Sequence, residues 1–226
     1  MNSVLIITGG YLNIDFAKEY IKTLSYDKVF AVDKGLEYVD VLGLIPDLII
    51  GDFDTVNPAL LEKYDNDIKS GSINANIIKH PVKKDETDTE LALQCSVDKG
   101  ALSITMLGAT GTRLDHVLAN LSFLKLMGDK GIEVVIVDEN NRIRLLDSDC
   151  NMTDVTIYRE KQFGRYISLI PITRCVEEVT ISGVEYPLDN AVIASGKGLT
   201  VSNEITEKAA RIHIGKGAAL LIESKD

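Results

Sequence analysis

The sequence predicts α/β followed by all-β. An N-terminal three-layer α/β/α domain on a mostly parallel sheet comes first, then a C-terminal antiparallel domain of sandwich or barrel-like form. Three observations carry this. Short β-branched runs alternate with segments of helical apolar spacing through the first part of the chain. Long helical periodicity disappears after about Leu146. Short strand-like runs then follow one another, with Gly164, Gly183, Gly196, Gly198, Gly215 and Gly217 at turn positions. Strand–helix alternation implies a parallel sheet covered on both faces, whereas closely spaced strands with glycine turns imply antiparallel pairing.

In order along the first domain, strands are expected at residues 4–8, 28–33, 48–51, 76–79, 102–107 and 133–138. These runs suit buried strands. Helices are expected between them at residues 16–24, 36–42, 89–98 and 114–127. In the last of these, Leu114, Val117, Leu118, Leu121 and Leu124 form one apolar stripe, with Lys125 at its polar edge. Residues 57–72 are polar and less regular, so only weak helicity is expected there. In the second domain the strand-like runs are residues 155–158, 166–171, 176–182, 191–194, 199–203, 209–214 and 218–223. The domain boundary is placed within residues 146–154, giving domains 1–147 and 148–226.

The totals narrow the function. A chain of 226 residues with 45% hydrophobic and 26% charged residues is ordinary for a globular protein. The formal charge of −10 argues against nucleic acid, whose phosphate backbone calls for clustered Lys and Arg. Cys95, Cys150 and Cys175 are odd in number and lack CxxC spacing, so free thiols in a reducing compartment are expected. The N-terminus lacks the basic region and long apolar run of a signal peptide, and no run approaches the ~20 apolar residues of a membrane span. A cytoplasmic protein without membrane attachment is expected.

The chemistry gathers in turns after the strands. Gly51-Asp52-Phe53-Asp54-Thr55 follows Leu48-Ile49-Ile50. An extended chain would put Asp52 and Asp54 on one face, able to address one cation, with Phe53 turned inward; aspartates here also serve as plain turn caps. Lys84-Asp85-Glu86-Thr87-Asp88-Thr89-Glu90 opens a helix, with Thr87 or Asp85 as cap and Glu90 as its partner. Acidic first turns are favoured by the helix dipole whatever the function, and free N–H groups there also suit phosphate. Asp88 is the carboxylate expected to face a metal. Gly108-Ala109-Thr110-Gly111-Thr112-Arg113-Leu114-Asp115-His116 follows the 102–107 run. Its glycines admit close backbone approach, Arg113 suits bidentate phosphate binding, and Asp115 suits orienting or deprotonating a hydroxyl. It is neither a Walker A loop nor a GxGxxG fingerprint, and its glycines also fit a plain strand-to-helix turn. His116 is expected to be a helix residue rather than a base. Asp33-Lys34-Gly35 ends the second strand at the same edge. Open parallel sheets bind ligands outside the carboxyl ends of their strands, so these turns are expected to share one site. That composition points to a divalent metal acting on phosphate.

Taken together and in this order, the motifs Ala31-Val32-Asp33-Lys34-Gly35, Gly51–Thr55, Lys84-Asp85-Glu86-Thr87-Asp88-Thr89-Glu90-Leu91-Ala92-Leu93, Gly108–His116 and Val201-Ser202-Asn203-Glu204 resemble the thiamine pyrophosphokinase family. The resemblance covers nearly the whole chain. Departures from the family pattern are Lys34 and Thr112 for glycine, Thr55 for serine and Val201 for threonine. The resemblance implies Mg²⁺-dependent transfer of pyrophosphate from ATP to the hydroxyl of thiamine, with release of AMP. It also implies a homodimer, each site lying between the α/β domain of one subunit and the β-domain of the other. By matching position it implies Asp52, Asp54 and Asp88 as metal ligands, Arg113 and Thr87 on phosphates, and Asp115 beside the thiamine hydroxyl. Ser202 and Asn203 would reach thiamine from the partner chain. Lys84 and Asp85 occupy motif positions without separate roles. Nothing in the residues alone would single out Ser202 or Asn203.

Three other readings compete. A diphosphokinase acting on a pterin alcohol would share the metal carboxylates. A non-catalytic thiamine or nucleotide sensor would bind without forming AMP. A Mg²⁺-dependent phosphohydrolase with Asp52 as nucleophile is disfavoured, because its DxD should follow the first strand and this one follows the third.

Overall fold

The computed structural model describes residues 2–81 and 85–226. By internal contacts the chain divides into two compact units, one of Met1–Phe123 with Ile136–Glu139, the other of Leu124–Val135 with Asn140–Asp226. This division falls earlier in the chain than residue 147. The physical reason is strand pairing: Asn141–Asp147 runs antiparallel along Ala218–Ser224, from the Asn141–Ser224 pair to the Asp147–Ala218 pair.

The first unit is built on five parallel strands: β1 (Ser3–Ile7), β2 (Lys28–Val32), β3 (Leu48–Gly51), β4 (Asn76–Lys79) and β5 (Ser103–Leu107). Their order is β5-β1-β2-β3-β4, with Ile6 opposite both Phe30 and Met106. Successive residues of β1 and β3 are buried, Leu5, Ile6, Ile7, Ile49 and Ile50 completely. A strand buried on alternate as well as adjacent positions has protein on both faces, which is why its sequence is a continuous apolar run. The covering helices are α1 (Ile14–Ile21), α2 (Gly35–Val41), α3 (Pro58–Lys69) and α4 (Asp88–Asp98). Each β–α–β crossover is right-handed by the twist of its strands, so reversing direction between β4 and β5 carries α4 to the opposite face from α1–α3. There α4 packs across β2 and β3, while α2 packs across β1 and β2.

α3 is a regular 12-residue helix, firmer than its polar composition suggests. Its start is fixed by Asn57, whose Oδ1 accepts the Ala59 N–H at 3.0 Å, and by Pro58 at the first helical position. Tyr64 is its buried anchor. α5 (Leu114–Gly128) follows β5 and β6 (Glu133–Val137) comes next; the division between the units passes through both.

The second unit holds two antiparallel sheets. One has the order β12-β9-β14-β7, the other β11-β10-β13-β8. Their strands are β7 (Asn141–Asp147), β8 (Asp154–Tyr158), β9 (Tyr166–Pro171), β10 (Cys175–Ser182), β11 (Leu188–Ala194), β12 (Asn203–Glu204), β13 (Ala209–His213) and β14 (Ala218–Ser224). One apolar core joins them: Ile167, Leu169 and Leu221 from the first sheet meet Val176, Val179, Ile193 and Ile212 from the second. This is a sandwich. The expected strand at 199–203 is mostly turn, and only Asn203–Glu204 pairs. There Ser202 sits at φ +60, which interrupts an extended strand, and Thr200 is tied to Leu169 twice, its carbonyl accepting the Leu169 N–H and its hydroxyl donating to the Leu169 carbonyl. The unpredicted β7 carries Arg142 and Arg144, whose charges disguise it; both pair with the fully buried Glu223 at 2.7 and 2.9 Å.

The α/β-plus-all-β architecture is therefore as predicted, and among the described residues no helix is long and apolar enough to cross a membrane. Two substitutions gauge the core. Ile49→Ala should lower unfolding free energy by about 2–5 kcal/mol, whereas Val41→Ala, 59% exposed on α2, should stay within about 0.5 kcal/mol. Urea unfolding followed by circular dichroism measures both.

Candidate active site

The carboxyl ends of β1, β2, β3 and β5 and the N-terminus of α4 lie along one edge of the parallel sheet, as the parallel pairing requires. At β1 and β5 the two backbones nearly touch. A Cβ on Gly10 would come within 2.2 Å of the Gly108 carbonyl, and one on Gly108, at φ +70, within 2.5 Å of the Thr8 carbonyl. The Thr8 hydroxyl donates to the Gly108 carbonyl at 2.6 Å. Glycine is needed here because only a residue without Cβ admits such an approach.

At β2 the chain turns through Asp33, at φ +48, and its N–H donates to the Ile50 carbonyl at 2.9 Å. Asp33 Oδ1 accepts the Asp52 N–H at 3.2 Å, which ties the tip of β2 to the turn after β3. That turn is not the extended segment expected from the sequence. Phe53 lies at φ +63, so Asp52 and Asp54 do not simply alternate along a strand. Phe53 does turn inward and is 8% exposed. Asp52 is half-buried, Asp54 is exposed, and Asp52 Oδ1 accepts the Asp54 N–H at 3.1 Å.

At the start of α4, Thr87 is the N-cap, its hydroxyl oxygen accepting the Glu90 N–H at 3.1 Å. Asp88 is the first helical residue and half-buried. Asp85 is exposed, and Lys84 lies outside the described residues. Electrostatics link these acids. Burial, then the charges of Asp88 and Asp52, push the Asp33 carboxyl up to about 7 from 3.8. Asp54 is raised chiefly by the charge of Asp52, with Asp88 contributing. Like charges that raise the proton affinity of Asp33 and Asp54 mark an edge short of positive charge.

The loop from Gly108 to Thr112 is braced from behind. Thr110 donates its hydroxyl proton to Asp138 at 2.7 Å, and the buried Asn120 donates to the Ala109 carbonyl at 2.8 Å. Past it, Arg113 and Asp115 form a fork on the surface, at 3.2 Å from Nε and 2.7 Å from the terminal nitrogen. Arg113 and the His116 N–H hold the Asp115 carboxyl at about 2. A carboxylate this acidic, while Arg113 stays paired to it, is a hydrogen-bond acceptor and a weak base. Both side chains are more than 60% exposed, so trading this ion pair for a phosphate costs little. Lys34 and Thr112 are exposed, so neither departure from glycine crowds its turn.

In the second unit the exposed Ser202 and the buried Asn203 are set differently. The Ser202 N–H donates to the Ser168 hydroxyl at 3.0 Å. Asn203 is 6% exposed and its amide is used internally: Oδ1 accepts from the Tyr186 and Glu204 N–H groups, and Nδ2 donates to the Tyr186 carbonyl. Its side chain supports the turn that carries Ser202.

Comparison with known proteins fits this geometry. A family model described as the catalytic domain of thiamin pyrophosphokinase matches residues 20–136, and one described as its vitamin B1 binding domain matches residues 153–218. The thiamine pyrophosphokinase of Bacillus subtilis (strain 168) is 30% identical over 227 residues, covering all of both chains. The chain belongs to the thiamine pyrophosphokinase family. It is an enzyme of that family, and the pterin-alcohol and sensor readings are not favoured. A crystal structure of the Bacillus subtilis enzyme superposes with TM-score 0.85 at 28% identity, covering 100% of each chain. One from Geobacillus thermodenitrificans gives 0.80 at 28% identity, covering 99% of this chain and 98% of that one.

Asp33 is the residue to which sequence reasoning gave a place but no role. Its proximity to Gly35 was the available signal, since a Cβ at 35 would lie 2.0 Å from the Ile7 carbonyl, marking a turn pressed against β1. Because its carboxyl titrates higher in the native state, Asp33 favours folding below about 4 and loses that contribution as pH rises to about 7. Without divalent metal, Asp33→Asn should therefore gain thermal stability relative to the parent at pH 8 compared with pH 5. Calorimetry in chelator measures this.

Proposed function

We propose that the chain is a Mg²⁺-dependent thiamine diphosphokinase that moves the β,γ-pyrophosphoryl group of ATP to the hydroxyl oxygen of thiamine. The new bond forms between that oxygen and the β-phosphorus, the bond from the β-phosphorus to the α-phosphate oxygen breaks, the hydroxyl proton is lost and AMP leaves. The observation that carries the reading is the gathering of Asp33, Asp52, Asp54 and Asp88 at adjacent strand tips and one helix start, where the charges of Asp52 and Asp88 raise the proton affinity of both Asp33 and Asp54.

An all-oxygen, carboxylate-rich donor set fits magnesium. Among the described residues no three acidic ligand atoms of this edge lie within 4.8 Å of one another. That spacing suits an ion held by one or two carboxylates at a time and completed by water and phosphate oxygens. Asp52, Asp54 and Asp88 would hold it. Bound there, magnesium would neutralise the polyphosphate as charge shifts towards the leaving AMP.

The rest falls to this chain's own groups. Arg113, released from Asp115, grips phosphate oxygens with its guanidinium fork. The Thr87 hydroxyl keeps a free proton to donate while its oxygen caps α4, and the first N–H groups of α4 favour a bound anion. Asp115, ionised throughout the neutral range, accepts the thiamine hydroxyl proton in a hydrogen bond and aligns the oxygen for attack. Ser202 contacts thiamine from a second copy in a homodimer, and Asn203 holds that turn in place. Support for the dimer and for ATP and thiamine as partners comes from the family resemblance. Three free thiols agree with a cytoplasmic location.

Incubation with ATP and thiamine, with and without Mg²⁺, should yield AMP and thiamine diphosphate only with the metal. Asp54→Ala and Asp88→Ala should each lower turnover by at least about a hundredfold while the circular dichroism spectrum is kept. Activity retained in either variant removes that residue from the metal site. Ser202→Ala should raise KM for thiamine and leave KM for ATP unchanged. Asn203→Ala should instead lower the thermal midpoint, through about 1–3 kcal/mol for the buried groups it strands.

A further inference from the structure

We propose that Asp33 is a positioning residue and not a metal ligand: its carboxyl sets the turn that presents Asp52 and Asp54. The proposal rests on reading that turn as the metal site. The tips of β2 and β3 are stapled twice. The Asp33 N–H donates to the Ile50 carbonyl, and Asp33 Oδ1 accepts the Asp52 N–H. Phe53 is held at φ +63, a conformation that a bulky residue keeps only when its surroundings fix it. Asp52 then passes the order on, accepting the Asp54 N–H. The chain of acceptors thus runs from Asp33 to the Asp52 turn and on to Asp54.

Gly51 shows how closely the sequence is fitted to this arrangement. A Cβ at position 51 would stand 1.9 Å from Asp33 Oδ1 and 2.8 Å from its carboxyl carbon. The side chain at 33 and the missing side chain at 51 are therefore one device. Asp33 itself lies at φ +48, where Asp and Asn are better tolerated than most residues and glycine is unstrained. This makes two substitutions informative. Asp33→Asn keeps the acceptor and tolerates the backbone but removes the charge. Asp33→Gly also tolerates the backbone and removes the acceptor.

The test is Mn²⁺ binding to the full chain, read by the electron paramagnetic resonance signal of the free ion, with thermal midpoints recorded alongside. Asp33→Asn should keep most of the parent's Mn²⁺ affinity. Asp33→Gly should weaken it by about tenfold or more, the loss typical of an outer partner of a metal site, while remaining folded. Gly51→Ala should weaken it comparably in the parent, yet add little to Asp33→Gly, because the oxygen that the new Cβ strikes is gone. Should Asp33→Asn lose as much as Asp33→Gly, the carboxylate charge is itself the ligand and the proposal fails. It fails equally if Asp33→Gly binds like the parent. Should the parent show no saturable Mn²⁺ binding, the metal-site reading falls and takes this proposal with it.

Discussion

Parallel strands all end at the same edge, and in this protein that edge has been loaded with carboxylates that repel one another. β2 and β3 are neighbours, and α4 packs across both, so Asp33, Asp52 and Asp88 have no freedom to separate without dismantling the sheet. The fully buried Leu5, Ile6, Ile7, Ile49 and Ile50 resist that dismantling. Core burial thus holds a charge arrangement that the charges alone would disperse. Its cost is visible in the raised proton affinities of Asp33 and Asp54, and a divalent cation would relieve it.

An overall charge of −10 makes the same point at the scale of the molecule. An acidic protein that takes a polyphosphate needs positive charge at the meeting point, and there Arg113 is already occupied by Asp115 while Lys34 stands exposed beside Asp33. A second acidic cluster, Asp129 and Asp147 with Cys150, brings its ligand atoms closer together, within 4.8 Å. Lys125 already supplies its counter-charge, at 2.5 and 2.8 Å. The contrast is informative: the tighter group is a finished ion pair, and the looser one at the sheet edge is not.

Much of this was legible in the residues because the physics is local. Consecutive apolar residues at 48–50 must be buried on both faces, and strand–helix alternation then fixes a parallel sheet whose turns share an edge. The left-handed Phe53 was not legible, since the turn it sits in is tied through the Asp52 N–H to Asp33, 19 residues back in the chain. Likewise β7 was hidden because Arg142 and Arg144 read as surface charges until Glu223, 79 to 81 residues on, is seen buried between them. The motif placing Ser202 beside Asn203 suggested two equivalent contacts. Only the folded chain separates them, by showing the Asn203 amide turned to Tyr186 and Glu204.

The most direct measurement is a crystal structure with Mn²⁺ and a non-hydrolysable ATP analogue, using anomalous scattering to locate the ion. A peak is expected within bonding distance of carboxylate oxygens from the Asp52–Asp54 turn and Asp88 and of phosphate oxygens of the nucleotide. An ion found elsewhere, or phosphates bound at a distance from these carboxylates, would contradict it.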